Sequence, residues 1–301
     1  MISKYIGNTP LVRLKRIEEH LDLGAELYAK LEKTNPSGSV KDRAALYILS
    51  SAMREGRIKP GGEIAEATSG NMGISLAMLS AAWGIKCNIF MPENMSVERV
   101  KIMKGYGARL ILTDHRGGMR SAVEAAEKYA IEQGAYMPNQ FTNSESVRSH
   151  YETTGVEIYR QMLGKVDIFT CGVGTSGTFS GTGRYLKEKI PTIKTVAVEP
   201  SESTVLSGGA LGVHGISGIG AGFVLALFDR PLCDEIVRVS TEEAAEMTSL
   251  SARCEGLLVG LSSGAALFSA ILLAKRKENR GKRIVTVFPD GGERYLSSLS
   301  V

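Results

Sequence analysis

Lys41 lies in Asn35-Pro36-Ser37-Gly38-Ser39-Val40-Lys41-Asp42-Arg43, just after a Pro/Gly/Ser turn and at the start of an apolar-periodic stretch. An amine in that setting can be held against a cofactor and used as a nucleophile. The same spacing suits a solvated lysine in a helix's first turn, where a cation gains nothing from the helix dipole. Three glycine-rich loops have comparable potential. Glu66-Ala67-Thr68-Ser69-Gly70-Asn71-Met72-Gly73 offers hydroxyls, an amide and backbone N–H groups suited to a carboxylate. Cys171-Gly172-Val173-Gly174-Thr175-Ser176-Gly177-Thr178 suits a phosphate, because glycines admit close backbone approach, hydroxyls donate, and the following helix favours an anion. Gly260-Leu261-Ser262-Ser263-Gly264 opens another helix. Singly, the first and third are also ordinary N-caps, and the second an ordinary packing turn. Together they supply an amine, a phosphate cradle and a carboxylate cradle, the three functions that a phosphorylated aldehyde cofactor acting on an amino acid requires.

Alternating strand-like and helix-like stretches must position these loops, the pattern of an α/β protein with largely parallel sheets. Strands are expected over 26–31, 63–65, 87–91, 109–112, 167–170, 195–198 and 283–288. Helices are expected over 41–55, 73–83, 97–106, 119–133, 154–162, 178–189, 241–255 and 264–277. Each glycine-rich loop then falls where open parallel sheets bind ligands, at a strand's carboxyl end or a helix start. A polar stretch, Asn143 to His150, separates two α/β series and marks a domain seam. Gly172, Gly174 and Gly177 also fit G-x-G-x-x-G, which keeps a dinucleotide site open. The acidic residue at about the expected distance is Glu199, followed by Pro200 in the second half of the chain, a weak match. The Gly-Lys-Ser/Thr ending of a nucleoside-triphosphate loop is missing.

At 301 residues the chain can bury one large core or two ordinary ones. Its net charge of +4 is small for that length and gives no sign of nucleic acid; the basic run from Lys275 to Arg283 reads as a solvated helix end. Cys87, Cys171, Cys233 and Cys254 form no C-x-x-C and read as buried thiols in a reducing compartment. His20, His115, His150 and His214 show no metal-ligand spacing, so no metal is expected. No apolar run approaches the ~18 residues of a membrane helix, and no signal-peptide pattern follows Met1, so the expected location is cytoplasmic.

The segments resemble the cysteine synthase (O-acetylserine sulfhydrylase) and cystathionine β-synthase family of fold type II pyridoxal-phosphate enzymes. The likeness runs from Ile6-Gly7-Asn8-Thr9-Pro10-Leu11 to Gly292-Glu293-Arg294-Tyr295-Leu296. Between them lie the lysine segment, the Thr-Ser-Gly-Asn loop, Asn139-Gln140-Phe141, Thr153-Thr154-Gly155, Gly218-Ile219-Gly220-Ala221-Gly222-Phe223 and the Gly260 loop. The resemblance implies two α/β domains, each a mostly parallel twisted sheet flanked by helices, with the active site in the cleft between them. Residues 1–12 and 35–145 would form the smaller domain, and 13–34 and 146–301 the larger. Pyridoxal 5'-phosphate would be held by Lys41 as a Schiff base, by Asn71 at its ring oxygen, by Gly174, Thr175, Ser176, Gly177 and Thr178 at its phosphate, and by Ser262 at its pyridine nitrogen. Thr68, Ser69, Asn71 and Gln140 would hold the substrate carboxylate, with Gly220 in the active-site wall.

The resemblance further implies β-replacement. The freed Lys41 amine removes the Cα proton, the group on Cβ leaves, and sulfide or a thiol adds. The expected activity is L-cysteine synthesis from O-acetyl-L-serine and sulfide. Cystathionine synthesis, or cysteine consumption with sulfide release, is the alternative, and a partner-binding homologue of serine acetyltransferase complexes is the non-enzyme alternative. O-Phosphoserine fits less well, since residues 208–218 hold no arginine for a second phosphate. A homodimer and a site for the serine acetyltransferase C-terminal peptide are also implied. Met72 stands where the family usually has threonine, which removes a hydroxyl and turns a flexible apolar side chain toward the substrate. Ser176 stands where glycine is common and adds a donor. The short C-terminus implies no haem or regulatory domain.

Overall fold

The computed structural model describes residues 1–94, 96–223 and 225–296. Along the chain these form β1 (Leu11–Arg13), α1 (Lys15–His20), β2 (Glu26–Leu31), α2 (Lys41–Arg54), β3 (Glu63–Ala67), α3 (Asn71–Trp83), β4 (Lys86–Pro92), α4 (Val97–Gly105) and β5 (Arg109–Thr113). They continue with α5 (Gly118–Gln133), α6 (Glu145–Ser149), α7 (Val156–Gln161), β6 (Ile168–Gly172), α8 (Gly177–Lys189), β7 (Lys194–Pro200), β8 (Glu235–Val239), α9 (Thr241–Glu255), α10 (Leu261–Ala274) and β9 (Arg283–Phe288). Contacts divide the chain into two units: Met1–Ile6 with Asn35–Ser146, and Gly7–Thr34 with the chain from Val147 onward.

The first unit is built on the parallel sheet β3-β4-β5. After Lys86, every residue of β4 is buried, as expected of a central parallel strand covered on both faces. One cover is α5, whose Ala122, Ala126 and Ala130 recur every four residues and pack with Ala65 and Phe90. The other side includes α3, buried without interruption from Met72 to Ser80, so it is apolar all round rather than amphipathic. Gly73 sets how closely α3 packs: a Cβ there would lie 2.7 Å from the Met103 sulfur and 3.1 Å from the Thr68 methyl.

The second unit carries a six-stranded sheet in the order β1-β2-β9-β6-β7-β8, parallel except for the β1–β2 pair. Its core centres on α10, where Ala265, Leu267, Ala270 and Leu273 are almost wholly buried with Val196, Val198 and Ile284. Removing a leucine such as Leu267 would cost about 2–5 kcal/mol. Helix α9 begins at a complete capping box, Ser240 with Glu243. It packs so closely on α10 that a Cβ at Gly264 would lie 2.0 Å from the Ala244 carbonyl.

Residues 7–12 fall in the larger unit, not in the smaller one expected from sequence. Strand β1 pairs Leu11 with Lys30, and the buried Lys30 ammonium donates to Thr9 O at 2.7 Å and meets Glu157 at 2.7 Å. Thr9 Oγ1 donates to Glu32 Oε1 at 2.7 Å, so the segment is anchored by buried polar bonds that periodicity does not register. Two further strands were not expected: β1, three residues long, and β8, an edge strand whose Glu235 and Arg238 interrupt its apolar pattern. Glu235 binds Arg276 and Lys194, so the basic run after α10 is partly tied to the sheet. Three of the cysteines are buried as expected, whereas Cys254 is partly exposed.

Candidate active site

In the first unit the Lys41 segment is organised by its neighbour Asp42, which is fully buried. Asp42 accepts from Ser37 N at 2.7 Å, from the Ser37 hydroxyl, and from Ser75 Oγ at 2.6 Å. Ser75 belongs to α3, and its hydroxyl also lies 3.1 Å from the Asn71 carbonyl. One carboxylate therefore fixes the turn before Lys41 and links it to the helix that starts at Asn71. Lys41 itself is half-buried at the first position of α2, with its N–H 3.3 Å from Ser39 Oγ.

The Thr-Ser-Gly-Asn segment leaves the carboxyl end of β3. Thr68 is buried, and its Oγ1 accepts from Gly70 N at 3.2 Å, closing a tight hydroxyl turn. Gly70, in extended backbone, precedes the first turn of α3, which has no side-chain cap. Gln140 reaches this part of the unit through Glu66: the Glu66 carboxylate accepts Asn139 N at 2.9 Å and Gln140 N at 3.3 Å. Glu66 is buried, and burial pushes its carboxyl up to about 7 against the pull of those two N–H groups. Met72 is 2% exposed and belongs to the apolar cluster of this unit, where its thioether side chain serves as core. Its position in the first turn of a helix buried all round accounts for that placement.

In the second unit the glycine-rich loop follows β6. A Cβ at Gly174 would lie 2.1 Å from the Gly218 carbonyl, so two backbone segments meet where only glycine fits. Ser176 holds φ +72° as the residue that starts α8, and its hydroxyl is buried with no hydrogen-bond partner among the described residues. Thr178 Oγ1 lies 3.2 Å from His150 Nε2, while His150 Nδ1 lies 2.9 Å from Thr154 Oγ1. Gly220 N donates to Val173 O at 3.0 Å, and Gly220 O accepts from His214 Nε2 at 3.1 Å, so the expected wall is strapped to the phosphate-type loop. Ser262 sits in the first turn of α10, buried, with its Oγ 3.9 Å from where a Gly218 Cβ would stand. Gly174, Gly220 and Ser262 thus converge on one strand-end region of this unit.

Three helix starts combine the absence of a side-chain cap, which α1, α2, α5 and α7 share, with a glycine-rich, hydroxyl-rich loop. Among the described residues, no side chain caps α3, α8 or α10, although Ser, Thr and Asn crowd all three. Ser96 and Ser240, by contrast, cap α4 and α9 in the ordinary way. The side chains of the glycine-rich loops are therefore not spent on capping these helices, and helix starts of this composition suit an anion. The dinucleotide alternative fails at Glu199, whose buried carboxylate takes Leu206 N at 2.9 Å and Ser207 N at 3.3 Å. A ribose would have to compete with those bonds.

These features fit a phosphorylated aldehyde cofactor. The close backbone approach at Gly174, the unpartnered buried Ser176 hydroxyl and the uncapped α8 suit its phosphate, and the anchored Lys41 suits its aldehyde. The chain belongs to the pyridoxal-phosphate-dependent enzyme family, whose model matches residues 2–290. Within it the chain groups with the cysteine synthases. It is 47% identical over 298 residues to a cysteine synthase of Staphylococcus aureus, covering 99% of this chain and 95% of the relative. The crystal structure of a cysteine synthase from Entamoeba histolytica superposes with a TM-score of 0.96 at 45% identity, over 99% of this chain and 89% of the other. A hydrogen sulfide-producing enzyme from Fusobacterium nucleatum follows at 0.93 and 43%, over 98% and 99%.

Asp42, Ser75, Glu66 and His150, which hold these loops in place, have no motif that marks them in the sequence. Glu66 carries a readable signal, a carboxylate flanked by apolar residues within β3. Glu93, Asp114 and His115 also come together, exposed at the surface, with His115 Nδ1 2.8 Å from Glu93 Oε1; that contact raises the imidazole pKa.

Proposed function

We propose that this protein is a pyridoxal-phosphate-dependent cysteine synthase that makes L-cysteine from O-acetyl-L-serine and sulfide. The observation that carries the reading is the trio of uncapped helix starts, α3, α8 and α10, rich in hydroxyls and glycine, in a chain whose anchored lysine opens α2. Its likeness to cysteine synthases over nearly its whole length supports the same reading.

When bound, the cofactor supplies an aldehyde that captures the substrate amine and a ring that takes up electron density from Cα. Lys41 Nζ would hold that aldehyde and would serve as the base that takes the proton from Cα and returns it. Gly174 to Thr178 hold the phosphate through backbone N–H groups and hydroxyls, with Ser176 contributing its unpartnered hydroxyl. Asn71 would donate to the ring oxygen. Ser262 would hold the pyridine nitrogen with a hydroxyl in place of a carboxylate, a partner that would not enforce protonation there. Thr68, Ser69, Asn71 and Gln140 orient the substrate carboxylate, and the backbone around Gly220 walls the site. Met72 contributes through its backbone, since its side chain is core.

A second reading, consumption of cysteine with release of sulfide, is favoured by the likeness to the Fusobacterium enzyme. The homodimer, the serine acetyltransferase peptide as a partner and a cytoplasmic location belong to this proposal as well; no helix among the described residues is long and apolar enough to cross a membrane. Lys41→Ala tests the catalytic assignment. The variant is expected to remain folded, to lose the absorbance of the lysine-bound cofactor and to make no cysteine. Substantial residual synthesis would overturn the role of Lys41.

A further inference from the structure

From the geometry around Glu66 we infer that its carboxylate is a positioning residue for the donor amino acid, acting through the backbone of Asn139 and Gln140. The inference rests on the proposed role of Gln140 at the substrate carboxylate. Glu66 lies on β3, two residues before Thr68, and is 3% exposed. Its two oxygens divide their work: Oε2 takes Asn139 N at 2.9 Å, and Oε1 takes Gln140 N at 3.3 Å. Two consecutive amides aimed at one carboxylate form a small anion nest made from the chain's own side chain.

The backbone there needs such a hold. Asn139 adopts φ +52°, a left-handed conformation that costs a non-glycine residue free energy unless its surroundings impose it. Asn139 O in turn accepts from Thr142 N and Asn143 N, both at 3.0 Å, so the turn after Gln140 closes on the residue that Glu66 fixes. A buried carboxylate on a strand flanked by Ile64 and Ala65 is costly, and an apolar side chain would serve the core better. What the carboxylate provides is a defined position for Gln140, itself 6% exposed. A group that locks the rotamer or backbone of a contacting residue controls how well that residue meets its ligand.

The test uses the cofactor-loaded protein and the variants Glu66→Ala, Glu66→Gln, Gln140→Ala and Glu66→Ala/Gln140→Ala. Glu66→Ala is expected to raise KM for O-acetylserine about tenfold while kcat stays within about twofold. Glu66→Gln, which keeps one carbonyl acceptor, should raise it less. On the Gln140→Ala background the Glu66→Ala change should add little, because the first substitution acts through the second residue. Hydrogen exchange at the Asn139 and Gln140 amides should accelerate in Glu66→Ala, a readout independent of turnover. If Glu66→Ala fails to fold, the isosteric Glu66→Gln carries the test through its KM and its amide exchange. Unchanged KM and unchanged exchange, or effects of the two substitutions that add in full, would overturn the inference. Wild-type protein that makes no cysteine but shows the exchange effect would instead refute the proposed reaction.

Discussion

Glu66→Gln should make the folded protein more stable in alkaline solution and have little effect in acid. Glu66 ionises at about 7 when folded, against 4.5 for an ordinary glutamate, because burial disfavours its charged form. A raised carboxyl pKa means that the folded state binds the proton more tightly than the unfolded state does. The stability it contributes is fully present below about pH 4.5 and is lost as pH rises through 7. A tenfold difference in proton affinity is worth about 1.4 kcal/mol, so the whole loss is about 3 kcal/mol, most of which falls between pH 5 and pH 8.5. Glutamine resembles the protonated acid in shape and charge and retains an acceptor for one of the two amides. Urea or thermal unfolding of wild type and variant, each at pH 5 and pH 8.5, isolates the effect, because the other titrating groups and cofactor retention are common to both proteins. The variant should gain about 2–3 kcal/mol on wild type over that interval. A stability gap independent of pH, or one that moves against the variant as pH rises, would refute the reasoning.

Gly174→Ala places a Cβ 2.1 Å from the Gly218 carbonyl; it should destabilise the second unit by about 1–3 kcal/mol and weaken cofactor retention, measured by absorbance after dialysis. Ser75→Ala removes one donor from the buried Asp42 carboxylate and should cost about 1–3 kcal/mol in unfolding experiments, with lower turnover because the Lys41 turn loosens. Lys30→Met removes the buried ammonium that meets Glu157 and Thr9 O and should destabilise by about 3–5 kcal/mol, read by denaturant unfolding.

Most of the α/β alternation was legible because parallel strands buried on both faces read as short apolar runs, as β4 and β9 do. The consistent difference lies at the helix starts. Helices α3, α8 and α10 begin at Asn71, Gly177 and Leu261, one to three residues before their expected first residues. Glycine, serine, threonine and asparagine weaken a helix interior, so sequence patterns assign them to loops. A first turn tolerates them because its N–H groups have no intrahelical partner, and those groups are the ones a ligand can use. The roles of Asp42 and Glu66 were less legible. Each depends on a contact with residues 33 or 73 positions away in sequence, and neither a period of 3.6 nor a period of 2 encodes such a pairing. Met72 marks the opposite limit: its place within the substrate-loop motif suggested a contact, whereas the all-round burial of α3 turned the side chain into core.

The central claim is tested most directly by comparing kcat/KM for cysteine formation from O-acetylserine and sulfide with kcat/KM for cystathionine formation and for sulfide release from cysteine, on one preparation of cofactor-loaded protein. Cysteine formation is expected to exceed both other reactions and to vanish in Lys41→Ala. Faster release of sulfide from cysteine, or cysteine formation that survives loss of Lys41, would contradict it.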